Sequence, residues 1–240
     1  MPDSAPSLRA RVRAEMTEEI KRVALRHLAT DGTALSLRAV ARDLGMVSSA
    51  LYRYFANRDE LLTALIVDAY NVLAEEVERA DAAVTDRADV LGRWLAVGHA
   101  IRAWAVAKPH EYALIYGSPI PGYAAPTTTI EPATRPVLVL GGILADARSA
   151  GVLPEKDVTL EGGSPLGHKL RAEIETVAEV VGAEVDAAAV ARALLAWTEL
   201  FGAVGFEVFG RLNNVIAQRE EWFDWQLRSM ARFIGLGNRS

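Results

Sequence analysis

Residues 35–57 read LSLRAVARDLGMVSSALYRYFAN and contain two short helical patterns separated by a glycine. Ser36 is placed as an N-cap, since its hydroxyl can accept from the free N–H groups of the next turn. Gly45 stands where a helix that ends in a left-handed residue favours glycine. The first pattern has an apolar stripe at helical spacing, Leu37, Val40, Ala41 and Leu44, and a second helix follows at about residues 48–55. The stretch predicts a helix-turn-helix, a motif that places its second helix in the DNA major groove.

The outward face of the second helix carries small and polar residues. Small side chains at its start allow a close approach to base edges, tyrosine hydroxyls can reach phosphate oxygens, and an arginine can bind guanine or phosphate. An ordinary helical hairpin with a solvated polar face has the same spacing, so the pattern alone leaves both interpretations open. The residues are Ser48, Ser49, Ala50, Tyr52, Arg53 and Tyr54.

The same stretch resembles the DNA-binding motif of the TetR family of transcriptional regulators. The resemblance covers about residues 15–65 and rests on the run A-L-Y-R-Y-F at 50–55 followed by N-R-D-E-L-L at 57–62. Tyr54 departs from it, because family members usually have His there. The resemblance implies DNA contacts from Ser36, Arg38, Ser48, Ser49, Ala50, Tyr52, Arg53, Tyr54 and Arg58. For Arg58, at the start of the next helix, a phosphate contact is expected, with a solvated charge as the alternative.

Composition narrows the class of protein. Half of the 240 residues are hydrophobic, which is enough for a core, and the apolar runs are interrupted well short of a membrane span. The chain has no cysteine, so disulfides, thiol nucleophiles and cysteine zinc sites are excluded. The first seven residues lack the apolar segment of a signal peptide. We expect a cytoplasmic protein with no membrane partner.

Charge is distributed unevenly along the chain. The whole chain has a net charge of −5, but residues 1–60 hold ten Lys/Arg and eight Asp/Glu, and the rest hold sixteen and twenty-three. This asymmetry fits a DNA-facing head on an acidic body. The alternating Arg9, Arg11 and Arg13 indicate either an arm that touches DNA or a solvated basic tail.

The pattern of apolar residues predicts an all-α chain. The family resemblance implies a three-helix helix-turn-helix head followed by a helical body for effector binding and dimerisation. The DNA-binding domain is expected over residues 10–57 and the body over 58–240. The first helix is expected at 16–29. Asn57 and Glu60 resemble a capping box at the start of the next helix. Pro136 conflicts with a helix there and predicts a kink or a later start. Further helices are expected at about 57–80, 89–107, 111–116, 129–148, 168–181, 186–210 and 216–234, with a loop of no assigned role at 151–167.

The last two long helices are more apolar than one pair can bury. A homodimer, in which the pairs at about 186–210 and 216–234 form a four-helix bundle, would cover them. TetR relatives dimerise in this way. The body also resembles the WHG type of C-terminal domain in this family, through P-H-E-Y-A-L-I-Y-G-S-P-I-P-G-Y at 109–123 and W-T-E-L-F-G at 197–202. Relatives often have His at the position of Phe201.

The family resemblance also implies a small effector of unknown identity that binds inside the body and releases the head from DNA. An apolar pocket with a few polar groups suits a largely apolar ligand. Aromatic residues at helical spacing are equally typical of ordinary core. The candidate ligand-binding residues are Trp94, His99, Trp104, Tyr112, Tyr116, Tyr123, Trp197 and Phe201.

Enzyme signatures are missing from the sequence. There is no phosphate loop, dinucleotide fingerprint, HExxH helix or nucleophile elbow, and the four histidines are scattered. We therefore expect no catalytic residues, no metal and no cofactor. The helix-turn-helix and the family resemblance imply a repressor bound to a double-stranded operator. Two alternatives remain: an activator or a repressor controlled by a partner protein, and a helical binding protein or enzyme whose head has lost DNA affinity.

Overall fold

The computed structural model describes residues 7–31, 35–153, 167–180 and 185–237. Within these ranges the chain is helical, with no strand and one 3-10 turn at Thr127–Thr129. Most of the loop expected at 151–167 lies outside the described residues. The helices are α1 (Leu8–Asp31), α2 (Leu37–Asp43), α3 (Ser48–Leu51), α4 (Arg58–Ala83), α5 (Val90–Ala107), α6 (Pro109–Tyr116), α7 (Ile130–Ser149), α8 (His168–Val180), α9 (Ala187–Val208) and α10 (Arg219–Ile234).

The chain divides into two compact units. The first comprises Met1–Tyr70 and His110–Ile130, and the second comprises Asn71–Pro109 and Glu131–Ser240. The DNA-binding domain expected at 10–57 lies within the first unit, which also takes in the first half of α4 and most of α6.

One apolar core holds the first unit together. It joins the inner faces of α1, α2 and α3 to the start of α4, and Leu51 of α3 is completely buried in it. Burial of a leucine side chain contributes about 1.5–3 kcal/mol, so this contact fixes α3 on the unit. The buried members are Ile20, Val23, Ala24, Leu35, Leu37, Val40, Ala41, Leu51, Phe55, Leu61, Leu62 and Leu65.

Helix α1 begins at Leu8, not at Met16 as expected from the sequence. The basic residues Arg9, Arg11 and Arg13 are therefore helical and do not form an extended arm. The stretch 8–15, LRARVRAE, contains neither Gly nor Pro and is rich in strong helix formers, so the helix propagates through it although its side chains are exposed.

In the second unit, α9 packs against α8 and α10, and α5 packs against α9 and α10. The contact between α5 and α10 is very close at Gly98, where an added Cβ would lie 2.4 Å from Leu227 Cδ2. Helix α5 begins as the sequence indicates, because the Asp89 side chain accepts from the backbone N–H of Gly92 at 2.8 Å.

Helix α7 begins at Ile130, directly after the 3-10 turn, and continues through Pro136. The later helix start, one of the two alternatives that Pro136 suggested, was therefore wrong.

Helix α9 is the one described helix long and apolar enough by composition to cross a membrane. Arg192, Glu199 and Glu207 interrupt its apolar residues, as expected from the sequence. This helix is nevertheless a core element, since Arg192, Leu200 and Val204 on it are buried within the second unit. Core helices of proteins without membrane segments pass the same test of length and hydropathy.

Candidate functional site: the helix-turn-helix and the apolar cavity

The turn between α2 and α3 is set by a left-handed glycine. Gly45 has φ +64°, and its N–H donates to the carbonyl of Arg42 at 3.0 Å, while the N–H of Met46 donates to the carbonyl of Ala41 at 2.9 Å. This pair of bonds is the Schellman arrangement, which satisfies the last carbonyls of a helix and reverses the chain. The glycine predicted to end the first helix of the motif is confirmed in that position.

Helix α3 is shorter than expected. It spans Ser48–Leu51 and gives way to a turn through Tyr54, whereas the sequence suggested a helix to Phe55. The backbone N–H of Arg53 donates to Ala50 at 3.2 Å, and that of Tyr54 donates to Leu51 at 2.8 Å. These i→i+3 bonds tighten the end of the helix into a 3-10 geometry. We call residues 48–54 the recognition segment.

The side chains expected at DNA are accessible. Ser36, Arg38, Ser49, Tyr52 and Arg53 are exposed, and the rest of the set, Ser48, Ala50, Tyr54 and Arg58, are partly exposed. Ser36 occupies the N-cap position of α2 with extended backbone angles, but its hydroxyl makes no capping hydrogen bond. The capping role expected for its side chain was therefore wrong.

The start of α4 is capped by side chains. Asn57 Oδ1 accepts from the N–H of Glu60 at 2.8 Å, and Glu60 Oε2 accepts from the N–H of Ala56 at 2.5 Å. The reciprocal bond thus goes one residue before the one that a capping box uses. Arg58 lies in this first turn with its guanidinium Nη1 3.8 Å from Asp59 Oδ1.

The second unit contains an apolar cavity of about 140 Å³. Helices α5, α7, α8 and α9 line it, together with the end of α10 and the residues that follow. No charged side chain is among the lining residues, which are Trp94, Val137, Leu140, Gly141, Ile143, Leu144, Val177, Val190, Ala193, Leu194, Trp197, Ile234 and Leu236.

The structure brings two of the eight expected ligand-binding residues to this cavity, Trp94 and Trp197. Tyr112, Tyr116 and Tyr123 belong to the other compact unit. The eight residues therefore do not surround one cavity, because helical periodicity does not tell which face of a helix meets a void and which meets a neighbouring helix.

The other three expected residues lie in the second unit but do not line the cavity: His99, Trp104 and Phe201. His99 Nε2 lies 3.1 Å from Asp224 Oδ1, and its ring meets that of Phe223 edge-on at 5.9 Å. Trp104 is buried. Phe201 packs on Trp197, with ring centroids 4.5 Å apart.

Three tyrosines of the first unit, Tyr70, Tyr112 and Tyr116, pack together. Burial raises the pKa of Tyr112 to about 12, and burial also raises the pKa of Tyr116, which lies beside Tyr70 and Tyr112. Tyr70 and Tyr116 meet edge-on at 6.2 Å, and the Tyr123 hydroxyl lies 2.9 Å from Thr63 Oγ1. At neutral pH the phenols of Tyr112 and Tyr116 are therefore uncharged.

Helix α7 contributes five lining residues that were not expected at a ligand site: Val137, Leu140, Gly141, Ile143 and Leu144. The sequence marks Leu140, Ile143 and Leu144 as an apolar stripe at helical spacing. Such a stripe indicates that the residues are buried but not that they line a cavity, so only the packing of α7 against the neighbouring helices shows that they do.

Among the described residues no group of three or more His, Asp or Glu could hold a metal ion.

The fold and the short helix pair define this protein as a helix-turn-helix transcriptional regulator. Family models support this at both ends of the chain: "Bacterial regulatory proteins, tetR family" matches residues 20–65, and "Tetracyclin repressor-like, C-terminal domain" matches residues 94–230. The chain belongs to the TetR family.

Individual relatives and solved structures support this family membership. The HTH-type transcriptional regulators Mb1846 of Mycobacterium bovis and Rv1816 of Mycobacterium tuberculosis are each 41% identical over 228 residues, with 92% of this chain and 93% of the relative covered. The crystal structure of the regulatory protein SCO4313 superposes with a TM-score of 0.73 at 33% identity, covering 94% and 98% of the two chains. PfmR of Thermus thermophilus, at 16% identity and a TM-score of 0.56 over 98% of this chain and all of its own, shares the fold. The chain is thus a transcriptional regulator and not an enzyme.

Proposed function

We propose that this regulator is a cytoplasmic repressor that binds a palindromic operator as a homodimer and is released by a small, largely apolar effector. The cavity in the second unit carries the effector part of the proposal, since it is lined by apolar side chains throughout. The exposed recognition segment carries the operator part.

The DNA contacts are assigned to the exposed polar side chains of the helix-turn-helix. Ser48, Ser49 and Ala50 are small enough to admit base edges, and Arg53 is the side chain suited to a bidentate contact with guanine. DNA phosphate oxygens are assigned to Tyr52, Tyr54 and Arg58, and also to Ser36 and Arg38 at the start of α2. As a dimer the protein should read two half-sites about 34 Å apart, or a multiple of that spacing.

The effector is assigned to the cavity between α7 and α9. A void of about 150 Å³ holds a molecule the size of benzene, and pockets for larger ligands range from about 300 to 1,000 Å³. The cavity of about 140 Å³ therefore accepts a larger effector only if the lining helices separate. That separation is what gives the effector different affinities for the DNA-competent and DNA-incompetent arrangements, as release requires.

A dimer surface is supported by an exposed apolar stripe on α9. Leu195, Gly202 and Phe206 share one face of α9, and Phe209 follows directly after the helix. Phe206 is 58% exposed, and an added Cβ at Gly202 would have no atom of the described residues within 4 Å outside its own helix turn. On α10, Trp225 is 55% exposed. Neighbouring exposed apolar side chains of this kind are typical of an interface between subunits.

Selection of bound sequences from a random DNA pool, performed with the purified protein at two salt concentrations, tests the operator. We expect one palindromic site whose affinity falls steeply with salt. Recovery of salt-sensitive background alone would favour a helical binding protein whose head no longer binds DNA. The selected site then serves in a release screen for effectors, and failure of every apolar compound would favour control by a partner protein.

Two substitutions test the recognition segment on that operator. Tyr52→Ala should lower affinity about equally for all sequences, and Arg53→Ala should reduce discrimination at one base pair by about 1–3 kcal/mol. Lys169→Ala, an exposed cation on α8, is the matched control and should change neither quantity. Unchanged binding in both head variants would remove these residues from the interface.

The cavity and the dimer are tested separately. Ala193→Leu adds volume at the cavity wall and should abolish release by the effector while preserving operator affinity. Gly142→Ala, beside the wall but facing open space, should leave release unchanged. Phe206→Asp should convert the dimer to a monomer in sedimentation, whereas Leu138→Asp, exposed on α7, should not.

A further inference from the structure

Arg13 of α1 contacts the recognition segment forty residues away in the sequence. Its Nη2 donates to the backbone carbonyl of Arg53 at 2.9 Å. The same guanidinium lies over the ring of Tyr54, with Cζ 5.0 Å from the ring centroid. One side chain thus holds two consecutive residues of the segment.

The carbonyl of Arg53 lies past the end of α3. Carbonyl groups at a helix C-terminus have no N–H four residues ahead in the helix, so an external donor stabilises them. The N–H groups of Arg53 and Tyr54 make i→i−3 hydrogen bonds, to Ala50 and Leu51, and the geometry of such bonds is poorer than that of α-helical bonds. A charged donor at this carbonyl therefore acts where the segment is weakest.

The ring of Tyr54 is held on two sides. It is partly buried against the apolar core of the first unit, and the Arg13 guanidinium covers it from α1. A cation over an aromatic face is favourable, and the planar guanidinium suits this stacking better than an ammonium. The direction of the Tyr54 hydroxyl is thereby fixed before DNA is bound.

We propose that Arg13 is a positioning residue for operator binding: it holds the recognition segment in its binding shape and neutralises no phosphate itself. The proposal rests on the DNA surface assigned above. Arg9, one turn earlier on the same face of α1, is exposed and has no hydrogen bond or ion pair within the described residues, so it is the matched control.

The test uses the full-length protein and the selected operator, with affinity measured by fluorescence anisotropy over a series of salt concentrations. We expect Arg13→Ala to weaken binding about fivefold to tenfold at every salt concentration, with the slope of log affinity against log salt unchanged. Arg13→Lys keeps the charge but loses the planar stack and should recover part of the loss. Arg9→Ala should not reproduce this pattern.

Two results would overturn the proposal. A slope reduced by about 0.9 in Arg13→Ala would mean that Arg13 contacts a phosphate. Wild-type affinity in a folded Arg13→Ala protein would mean that it has no role. In a double-substitution cycle with Tyr54→Leu, the double variant should lose less operator affinity than the product of the two single fold-losses, since the two residues act through one contact. A double variant whose loss equals that product would also count against the proposal.

A measurement without DNA separates this proposal from the operator assignment. Backbone amides of residues 52–55 should exchange with solvent faster in Arg13→Ala than in the wild type, and at the wild-type rate in Arg9→Ala. Unchanged exchange refutes the positioning role even if no operator is found. Failure of the wild type to select any operator, with faster exchange in Arg13→Ala, would count against the operator assignment alone.

Discussion

Arg135 of α7 forms a bidentate ion pair with Glu78 of α4, with Nε 2.9 Å from Oε1 and Nη2 2.7 Å from Oε2. Its remaining nitrogen, Nη1, donates to Asn71 Oδ1 at 3.0 Å. Because α7 also provides five residues to the cavity wall, this pair ties a wall of the cavity to α4.

Replacement of Arg135 should remove this contact between α7 and α4 and destabilise the second unit. We expect Arg135→Met to lower the free energy of unfolding by about 1 kcal/mol, a modest loss because both side chains are partly exposed. Arg135→Lys should recover less than half of it, since an ammonium cannot pair with both oxygens in the same geometry. All five tryptophans lie in the second unit, so urea unfolding followed by tryptophan fluorescence measures this effect. Arg79→Met, which breaks an exposed pair with Glu76 on the same helix, is the control and should cost less than about 0.5 kcal/mol.

A buried arginine should make the second unit acid-sensitive. Arg93 is 2% exposed and donates to Asp81 at 2.8 Å and to Asp146 at 2.5 Å. Burial alone would raise the pKa of Asp81, but hydrogen bonds from Arg93 and Arg87 outweigh it and hold the pKa below its ordinary value. A lowered folded-state pKa gives stability that is present above the unfolded value of about 3.9 and is lost as pH falls through the folded value.

Arg93→Met should therefore change both the size and the pH dependence of stability. At pH 7 we expect a loss of about 2–4 kcal/mol, since the partly buried Asp81 carboxylate loses its main partner. Below pH 5 the wild type should lose stability more steeply than the variant, which lacks the hydrogen bond that lowers the pKa. Urea unfolding at pH 7, 5 and 3 measures both; parallel pH curves would show that Asp81 is not the group responsible.

The close contact between α5 and α10 should not tolerate a methyl group. A Cβ at residue 98 would lie 2.4 and 2.8 Å from the two methyls of Leu227, which is completely buried and cannot swing into solvent. We expect Gly98→Ala to destabilise the second unit by about 1–3 kcal/mol through overpacking. Gly142→Ala, which meets nothing within 4 Å, should instead stabilise by about 0.5–1 kcal/mol through helix propensity.

Leu227→Ala provides the cross-check for that clash. Alone it should cost about 2–5 kcal/mol, because it leaves a cavity beside α5. Combined with Gly98→Ala it should cost clearly less than the two single losses together, since the new methyl fills part of the space. Additive losses would show that the two positions do not meet.

The turn of the helix-turn-helix should depend on backbone conformation, not on space. An added Cβ at Gly45 meets nothing within 4 Å, but the residue has φ +64°. We expect Gly45→Ala to destabilise the first unit by about 1 kcal/mol and Gly45→Asn by less, because asparagine tolerates the left-handed region better than alanine. Thermal unfolding followed by far-UV circular dichroism measures both; equal losses for the two variants would contradict the conformational explanation.

The head was largely predictable because its signals are local. The apolar stripe of α2, the glycine after Leu44 and the apolar residues of α3 and α4 lie within thirty residues, and each acts through neighbours on its own helix turn. The boundaries were less predictable. Helix α1 starts at Leu8 because good helix formers extend it, and α3 stops at Leu51 because 3-10 bonds replace the α-helical ones, which residue type alone does not reveal.

The sequence by itself determined the helical class, the helix-turn-helix and the apolar faces, because periodicity and turn-forming residues act over a few positions of the chain. Tertiary structure alone decided that Trp94 and Trp197 line a cavity while Trp104 does not, and that Arg93 pairs with Asp146 at a distance of fifty-three residues. It also brought Arg13 to the recognition segment. These contacts depend on how whole helices pack, and no local pattern encodes which faces meet.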